Sequence, residues 1–545
     1  MRCTRIVFSL AAASATSALL LTGSLGPASA QAALPAETRQ ILLGQLEYYS
    51  TVPQLLIAEM LGVTEIQGKP INPQSESTHN SPQRLFDVPI SVNPAKNENE
   101  PTIATSPKDK KKLVAGSHFF DPPPSPPGIN RCAAFTSSDG GETWSAPFLM
   151  PQLFPTSRCS DPVLAYAPDG SRVYYAYLDL KLPPLFPSVE ADILVSHSDD
   201  DGQTWSPPVI ALDAVPGAFF FDKPWIATPL DESNFVYVTA TRFDVVGVGA
   251  CHIAFTRSTD SGASYATPTL LETAAACSAS GPAAVLVQGS RPSGGKHGDL
   301  LVAWYQSHDD GVRTGLFRIQ TRYSADFGTT FQPTVNAVID GFEARFFKGP
   351  GTPSGCYERW WSVMFPDVEI DASGSAHIAY THDPVDGQLT AEEGDIRYIT
   401  AASAPYTLWS APITVNDDGT VSAQGYVAID TQTDQTGQSA GLHAIWMDSR
   451  LSRSQLVPSQ CPFDPAVENL FYDIFYSTMP PGEGWRENVR VTEQSSISDF
   501  SFLGDYIDLS TDNGSLFAVW TDRRDKKSIT DGEDDVWGSR THREQ

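Results

Sequence analysis

The sequence predicts an all-β ring of four-stranded sheets, a β-propeller closed by an N-terminal strand, with seven blades as the preferred count and six or eight as alternatives. Three observations predict it. One pattern, S-x-D-x-G-x-[TS]-aromatic, recurs at the spacing of a propeller blade. The 545 residues include 43 Pro and 40 Gly and few runs of helical periodicity, which suits one large all-β domain better than several small ones. Short alternating strands, separated by turn residues, also repeat in one order around each copy of the pattern.

Residues 1–30 read as an export signal: Arg2 and Arg5 precede an apolar run from Ile6 to about Leu21, and Ala28-Ser29-Ala30 supplies small residues for cleavage. No later window holds about 18 uninterrupted apolar residues, so no transmembrane segment is expected. The chain is therefore expected to be secreted, either extracellular or periplasmic. Loss of Arg2 and Arg5 takes the formal charge from -28 to about -30, and a surface this acidic repels polyanions, which argues against nucleic acid as a partner.

Residues 31–84 are expected to form a helical arm and linker outside the repeat. Ala36–Leu61 carries a helix-like apolar pattern interrupted by Pro53, and Asn72–Gln83 is polar. The ring is expected to occupy residues 85–545.

The four clear copies of the pattern are Ser137-Ser-Asp139-Gly-Gly141-Glu-Thr143-Trp144, Ser198-Asp-Asp200-Asp-Gly202-Gln-Thr204-Trp205, Ser258-Thr-Asp260-Ser-Gly262-Ala-Ser264-Tyr265 and Ser324-Ala-Asp326-Phe-Gly328-Thr-Thr330-Phe331. Degenerate copies end at Trp409 and Trp485. Ser and Asp side chains can bond nearby backbone N–H groups, Gly permits a positive φ, and the aromatic can pack between sheets. These residues resemble the Asp-box, or BNR, repeat of the sialidase/neuraminidase superfamily. The resemblance implies that Asp139, Asp200, Asp260 and Asp326 staple hairpins and take no part in catalysis.

Innermost strands are expected to begin near Glu100, Asp161, Asp222, Pro282, Asp367, Tyr426 and Asp505. The last unit has strands at Tyr506–Leu509, Leu516–Thr521 and Asp535–Ser539 but no fourth. Phe86-Asp-Val-Pro-Ile-Ser-Val92 matches the other fourth strands, so it is expected to pair with the last blade and remove the exposed edges at the seam.

In this connectivity the innermost-strand starts and second-strand ends share one face, here called the top, and the boxes lie on the other. The top carries a ring of ionisable groups, the default place for a ligand. Asp161, Asp222 and Asp367 are the candidate catalytic acids. Arg158, Arg345, Arg359, Trp360 and Trp361 are the candidate substrate contacts, since Arg grips carboxylates and aromatics stack on sugar rings. Most of these acids taken singly have an ordinary alternative, capping a loop or pairing with Lys or Arg, and Trp360 and Trp361 an equally ordinary one, packing their loop onto the ring. Two units share W-x-D-x-R, Trp446-Met-Asp448-Ser-Arg450 and Trp520-Thr-Asp522-Arg-Arg524, and their repetition favours an internal pair that stiffens each blade over a catalytic set.

Seven cysteines become six without Cys3, an even number that favours disulfides in an oxidising compartment. The preferred pairs are Cys132 with Cys159, Cys251 with Cys277, and Cys356 with Cys461, among fifteen possible arrangements. No cofactor is assigned and no residue is named as a metal ligand; clustered top-face carboxylates are the one feature that points to calcium.

The sialidase resemblance covers roughly residues 86–541 and implies a glycan-processing enzyme, with a carbohydrate or glycoconjugate as partner. Sialidases use three arginines, an acid/base Asp and a Tyr nucleophile assisted by Glu. The family's Phe/Tyr-Arg-x-Pro motif is replaced here by Glu98-Asn-Glu100-Pro101, and its catalytic domain has six blades, so no catalytic residue is carried over. A noncatalytic propeller that binds a glycan, a peptide or a cell-surface protein is the alternative. No P-loop, G-x-S-x-G, H-E-x-x-H or EF-hand motif supports another class.

Overall fold

The computed structural model describes residues 35–45, 86–91, 98–120, 130–182, 188–274, 277, 285–307, 316–342, 365–382, 394–420, 422, 424–433, 437–451, 471–497, 503–512, 515–524 and 534–542. It is a seven-bladed β-propeller with one short helix, Ala36–Gln45, among the described residues. No helix there is long and apolar enough to cross a membrane.

Each blade is an antiparallel meander that runs outward from the axis. The innermost strands are Thr102–Thr105, Arg158–Tyr166, Phe219–Ala227, Val287–Gly294, Asp367–Ile370, Gln424–Thr433 and Asp508–Asp512, in blades 1 to 7, and successive ones pack against each other around the axis. The fourth begins at Val287 rather than near Pro282, which lies outside the described residues.

The seam closes as expected. Phe86–Pro89 pairs antiparallel with Asp535–His542, Phe86 opposite Arg540 and Pro89 opposite Trp537, and supplies the missing fourth strand of blade 7. The first and last described strands therefore share one sheet, and no inner edge is left unpaired there. Asp87 Oδ2 fastens this strand by accepting hydrogen bonds from Arg524 Nη2 at 2.6 Å and Glu493 N–H at 2.8 Å.

The four boxes fold alike. In the first, Gly141 N–H donates to Ser137 Oγ at 2.9 Å, and Ser137 Oγ and Thr143 N–H donate to Asp139 Oδ1 at 2.8 and 3.0 Å. The same bonds recur around Asp200, Asp260 and Asp326. Gly328 has φ +76° and faces the Phe255 ring of the preceding blade so closely that a Cβ would lie 2.5 Å from it. The box aromatics wedge the same way: Trp144 meets Phe517 edge-on at 5.5 Å, and Phe331 meets Phe255 at 5.0 Å.

The core lies between the blade faces, with Trp304, Trp446 and Trp520 fully buried. Trp446 Nε1 donates to Asp448 Oδ2 and Trp520 Nε1 to Asp522 Oδ2, both at 2.8 Å, and Arg450 and Arg524 close onto the same carboxylates. These W-x-D-x-R units are thus internal stiffeners. Leu42 of the helix is buried in the apolar cluster that runs through the ring. Residues 1–30, expected to be an export signal, residues 72–83, expected to be a polar linker, and the expected Cys356–Cys461 pair lie outside the described residues.

Candidate functional site

A repeated irregularity of the innermost strands builds the top of the axis. Their pairing slips after Ser160, Asp222, Gln288 and Gly425. The next residue is left-handed in each case: Asp161 (φ 50°), Lys223 (φ 53°), Gly289 (φ 64°) and Tyr426 (φ 56°). Glu100 (φ 54°) takes that conformation just before the innermost strand of blade 1. Bulges re-aim side chains, and a left-handed non-glycine residue costs about 1–2 kcal/mol. Here Glu100, Asp161 and Lys223 each precede a proline, so three neighbouring blades hold a charged group in a strained conformation at one structural position.

These groups converge. Lys223 Nζ lies 3.0 Å from Asp161 Oδ1 and 3.7 Å from Glu100 Oε1, and touches Asp505 Oδ2, which precedes the innermost strand of blade 7. All four side chains are buried. Glu100, Asp161 and Asp505 each place a carboxylate oxygen within 4.8 Å of the others, close enough to share a metal ion, and the Lys223 ammonium supplies positive charge among them.

His118, at the end of the second strand of blade 1, completes the cluster. Its Nδ1 meets Asn99 Oδ1 at 2.8 Å, while Nε2 lies 3.0 Å from Ser160 Oγ and accepts the Asp161 N–H at 3.1 Å. Glu100 Oε2 is also 3.1 Å from Nε2, a distance suited to an ion pair. The Asp161 N–H is aimed at that nitrogen, however, so the proton belongs on Nδ1 and the ring is neutral. Burial lowers the imidazole to about 4, partly offset by Asp161 and reinforced by Lys223.

Of the candidate acids, Asp161 stands in this cluster. Asp222 is its chain neighbour through Lys223: it is fully buried, and its Oδ1 accepts the Lys223 N–H at 3.0 Å. Asp367 has other partners, Arg291 Nη1 at 2.7 Å and the N–H groups of Val368 and Ile429 at 3.0 and 2.8 Å. Arg158 opens the innermost strand of blade 2 opposite Leu180, half-buried. Arg345, Arg359, Trp360 and Trp361 lie outside the described residues.

Four side chains from different blades cross the axis in a chain of contacts. Asp367 holds Arg291, Arg291 stacks on Trp225 at 3.6 Å, and Trp225 meets Tyr506 edge-on at 5.4 Å. The Tyr506 hydroxyl donates to Pro162 O at 2.7 Å. Burial, with the charges of Glu100 and Asp161 beside it, raises this phenol well above its ordinary range, so it keeps its proton. Asp179, at the second-strand end of blade 2, is raised by burial to about 6 while accepting the Ser157 hydroxyl at 2.5 Å.

Sequence reasoning named the blade starts but assigned no role to Lys223, Arg291, Trp225, Tyr506 or His118. One signal was available: Glu100-Pro101, Asp161-Pro162 and Lys223-Pro224 place a charge before proline at the same point of three consecutive repeats. The disulfides Cys132–Cys159 and Cys251–Cys277 form as expected, Cα atoms 5.5 and 5.3 Å apart, each fixing a third strand of a blade to a neighbouring top-face segment.

No protein-family model and no curated protein matches this chain. Solved structures do. The GH93 alpha-L-arabinofuranosidase of Fusarium graminearum is similar over 84% of this chain and 97% of its own, at 10% identity and TM-score 0.40. A mutant of NanB sialidase from Streptococcus pneumoniae is similar over 82% and 93%, at 10% identity and TM-score 0.42. The Hadza microbial sialidase Hz136 is similar over 64% of this chain, at 11% identity and TM-score 0.40, and this chain spans 63% of it, just under two thirds.

Proposed function

We propose that this is an exported, sialidase-like propeller that processes glycans at the top of the ring, residues 1–30 being its export signal and residues 85–545 its working domain. The observation that carries this reading is the convergence of Glu100, Asp161 and Asp505, from three blades, on Lys223 beside the neutral His118. Carboxylates held together with an imidazole and an ammonium can store and pass protons, the chemistry that glycosidic cleavage requires. Asp161 is the acid best placed for it, with Arg158, Arg345, Arg359, Trp360 and Trp361 as the proposed sugar contacts.

The test is a hydrolysis and lyase screen of the mature protein against sialosides, arabinans and acidic polysaccharides, repeated with Asp161→Asn and Asp222→Asn. Product release that Asp161→Asn abolishes without unfolding the chain supports the reading.

A noncatalytic propeller that recognises glycans or cell-surface proteins is the second reading. Two observations favour it: Lys223 already compensates the carboxylates, and Arg291, Trp225 and Tyr506 fill the axis. Binding on a glycan array without product release selects it.

A further inference from the structure

The turn between the first and second strands of blade 1 differs in charge from its counterparts. It reads Ser106-Pro-Lys108-Asp109-Lys110-Lys111-Lys112, four lysines within five residues of a chain whose formal charge is -28. The same turn holds Asp169-Gly-Ser171 in blade 2, Asp231-Glu232-Ser233 in blade 3 and Asp371-Ala-Ser373 in blade 5. Blade 4 has Lys296 there, but its ammonium is committed to Ala372 O at 3.0 Å.

The backbone of the lysine turn is fixed. Asp109 N–H donates to Ser106 O at 3.2 Å, Lys112 N–H to Asp109 O at 2.8 Å and Ser106 N–H to Lys112 O at 2.9 Å. Gly140 N–H of the blade 1 box donates to Lys111 O at 3.0 Å and anchors the turn on the box face. Lys108 packs over Gly170 of blade 2, where an added Cβ would lie 3.0 Å from its Cγ. Arg540 of blade 7 extends the positive charge on the other side, its Nη1 lying 2.7 Å from the place of a Cβ at Gly140. Lys108, Lys110 and Lys111 are exposed, and among the described residues none of the four lysines forms an ion pair. The acids of this corner are turned inward: Asp109 accepts Lys111 N–H, Asp139 accepts Ser137 and Thr143, and Asp169 accepts the N–H and hydroxyl of Ser171. Glu142 of the box is exposed beside them.

We propose that this corner docks a single strand of an acidic polysaccharide, whose carboxylates meet Lys108, Lys110 and Lys111 with Arg540 at their side. The ammonium groups select an anion, and the rest of the face selects its shape. A flat anionic surface such as a membrane brings Asp231, Glu232 and Asp260, all exposed on the same face, against like charge. A lone strand crosses the turn without meeting them. Duplex nucleic acid carries one charge per about 1.7 Å, which deepens repulsion by the acidic body, and the turn has no aromatic side chain on which a base can stack. At about 0.1 M salt, charges more than about 10 Å away are screened while direct contacts at the turn persist. The site lies on the face opposite the Lys223 cluster, so docking leaves the top of the ring open and does not depend on the chemistry proposed there.

The test is retention of the mature protein on immobilised polygalacturonate at about 0.1 M salt. The wild type is compared with the Lys108→Ser/Lys110→Ser/Lys111→Ser variant and with Asp161→Asn. The wild type is expected to be retained and released by rising salt, the triple variant to bind roughly tenfold more weakly, and Asp161→Asn to behave as the wild type. A wild type that is not retained, or a folded triple variant retained equally, overturns the proposal. Loss of retention in Asp161→Asn moves the polymer to the top of the ring and overturns it too. So does a wild type that binds phosphatidylserine vesicles but not the polymer. If the triple variant does not fold, Lys110→Glu alone takes its place, and undiminished retention is again the overturning result.

Discussion

Lys223 Nζ reaches Asp161 Oδ1 across the boundary between blades 3 and 2 at 3.0 Å, and the same ammonium touches Asp505 of blade 7. One side chain therefore compensates an acid of the neighbouring blade 2 together with acids of blades 1 and 7, which are not its neighbours, and holds the top of the axis together. Lys223→Met leaves Glu100, Asp161 and Asp505 buried without their shared counter-charge. The expected loss is about 3–5 kcal/mol, the range for breaking one side of a buried ion pair. Chemical denaturation at pH 7 measures it; a variant as stable as the parent removes Lys223 from this role.

His118 gives a second expectation, with its own pH window. Its folded value, about 4, lies below the ordinary 6.5, so its contribution to stability is complete above 6.5 and is lost as pH falls through about 4. Imidazole ¹⁵N shifts should report a neutral ring with the proton on Nδ1 down to about pH 5. A ring that titrates near 6.5 contradicts the buried, accepting Nε2.

Closure of the ring depends on Asp87, whose carboxylate joins Arg524 and Glu493 N–H to the N-terminal strand. Asp87→Ala is expected to cost about 1–3 kcal/mol, since it removes one of the two carboxylates on the buried Arg524 guanidinium and the acceptor of the Glu493 N–H, and to speed proteolysis ahead of residue 98. Asp109→Ala, an exposed change in the blade 1 turn between its first and second strands, is the control and is expected to stay within about 0.5 kcal/mol of the parent.

The boxes should behave as staples. Asp200→Ala removes the acceptor of the Thr204 N–H and hydroxyl and is expected to cost about 1–2 kcal/mol, with no change in any glycan activity or binding. Gly328→Ala is expected to cost more, because its backbone is left-handed and Phe255 occupies the space a methyl needs. Altered glycan turnover in a fully folded Asp200→Ala protein would move function to the box face.

What the sequence by itself determined is what local chemistry and repetition encode. The boxes announce themselves because each is closed by bonds spanning at most four residues, as between Gly141 and Ser137. Strand order follows from the repeat, and the closing role of Phe86–Pro89 follows because blade 7 lacks a fourth strand and sheet edges demand partners. The Cys132–Cys159 and Cys251–Cys277 pairs were legible because their members sit 27 and 26 positions apart, in adjoining loops and strand ends. Tertiary structure alone decided what meets at the axis. Tyr506 reaches Pro162 across 344 positions, and Asp508 reaches Thr102 across 406, because a ring brings seven strand starts to one centre whatever their separation in the chain. Even Asp161 and Asp367, alike in sequence as acids at blade starts, acquire different partners there, because a left-handed bulge turns Asp161 toward Lys223 while Asp367 lies within a regular strand beside Arg291.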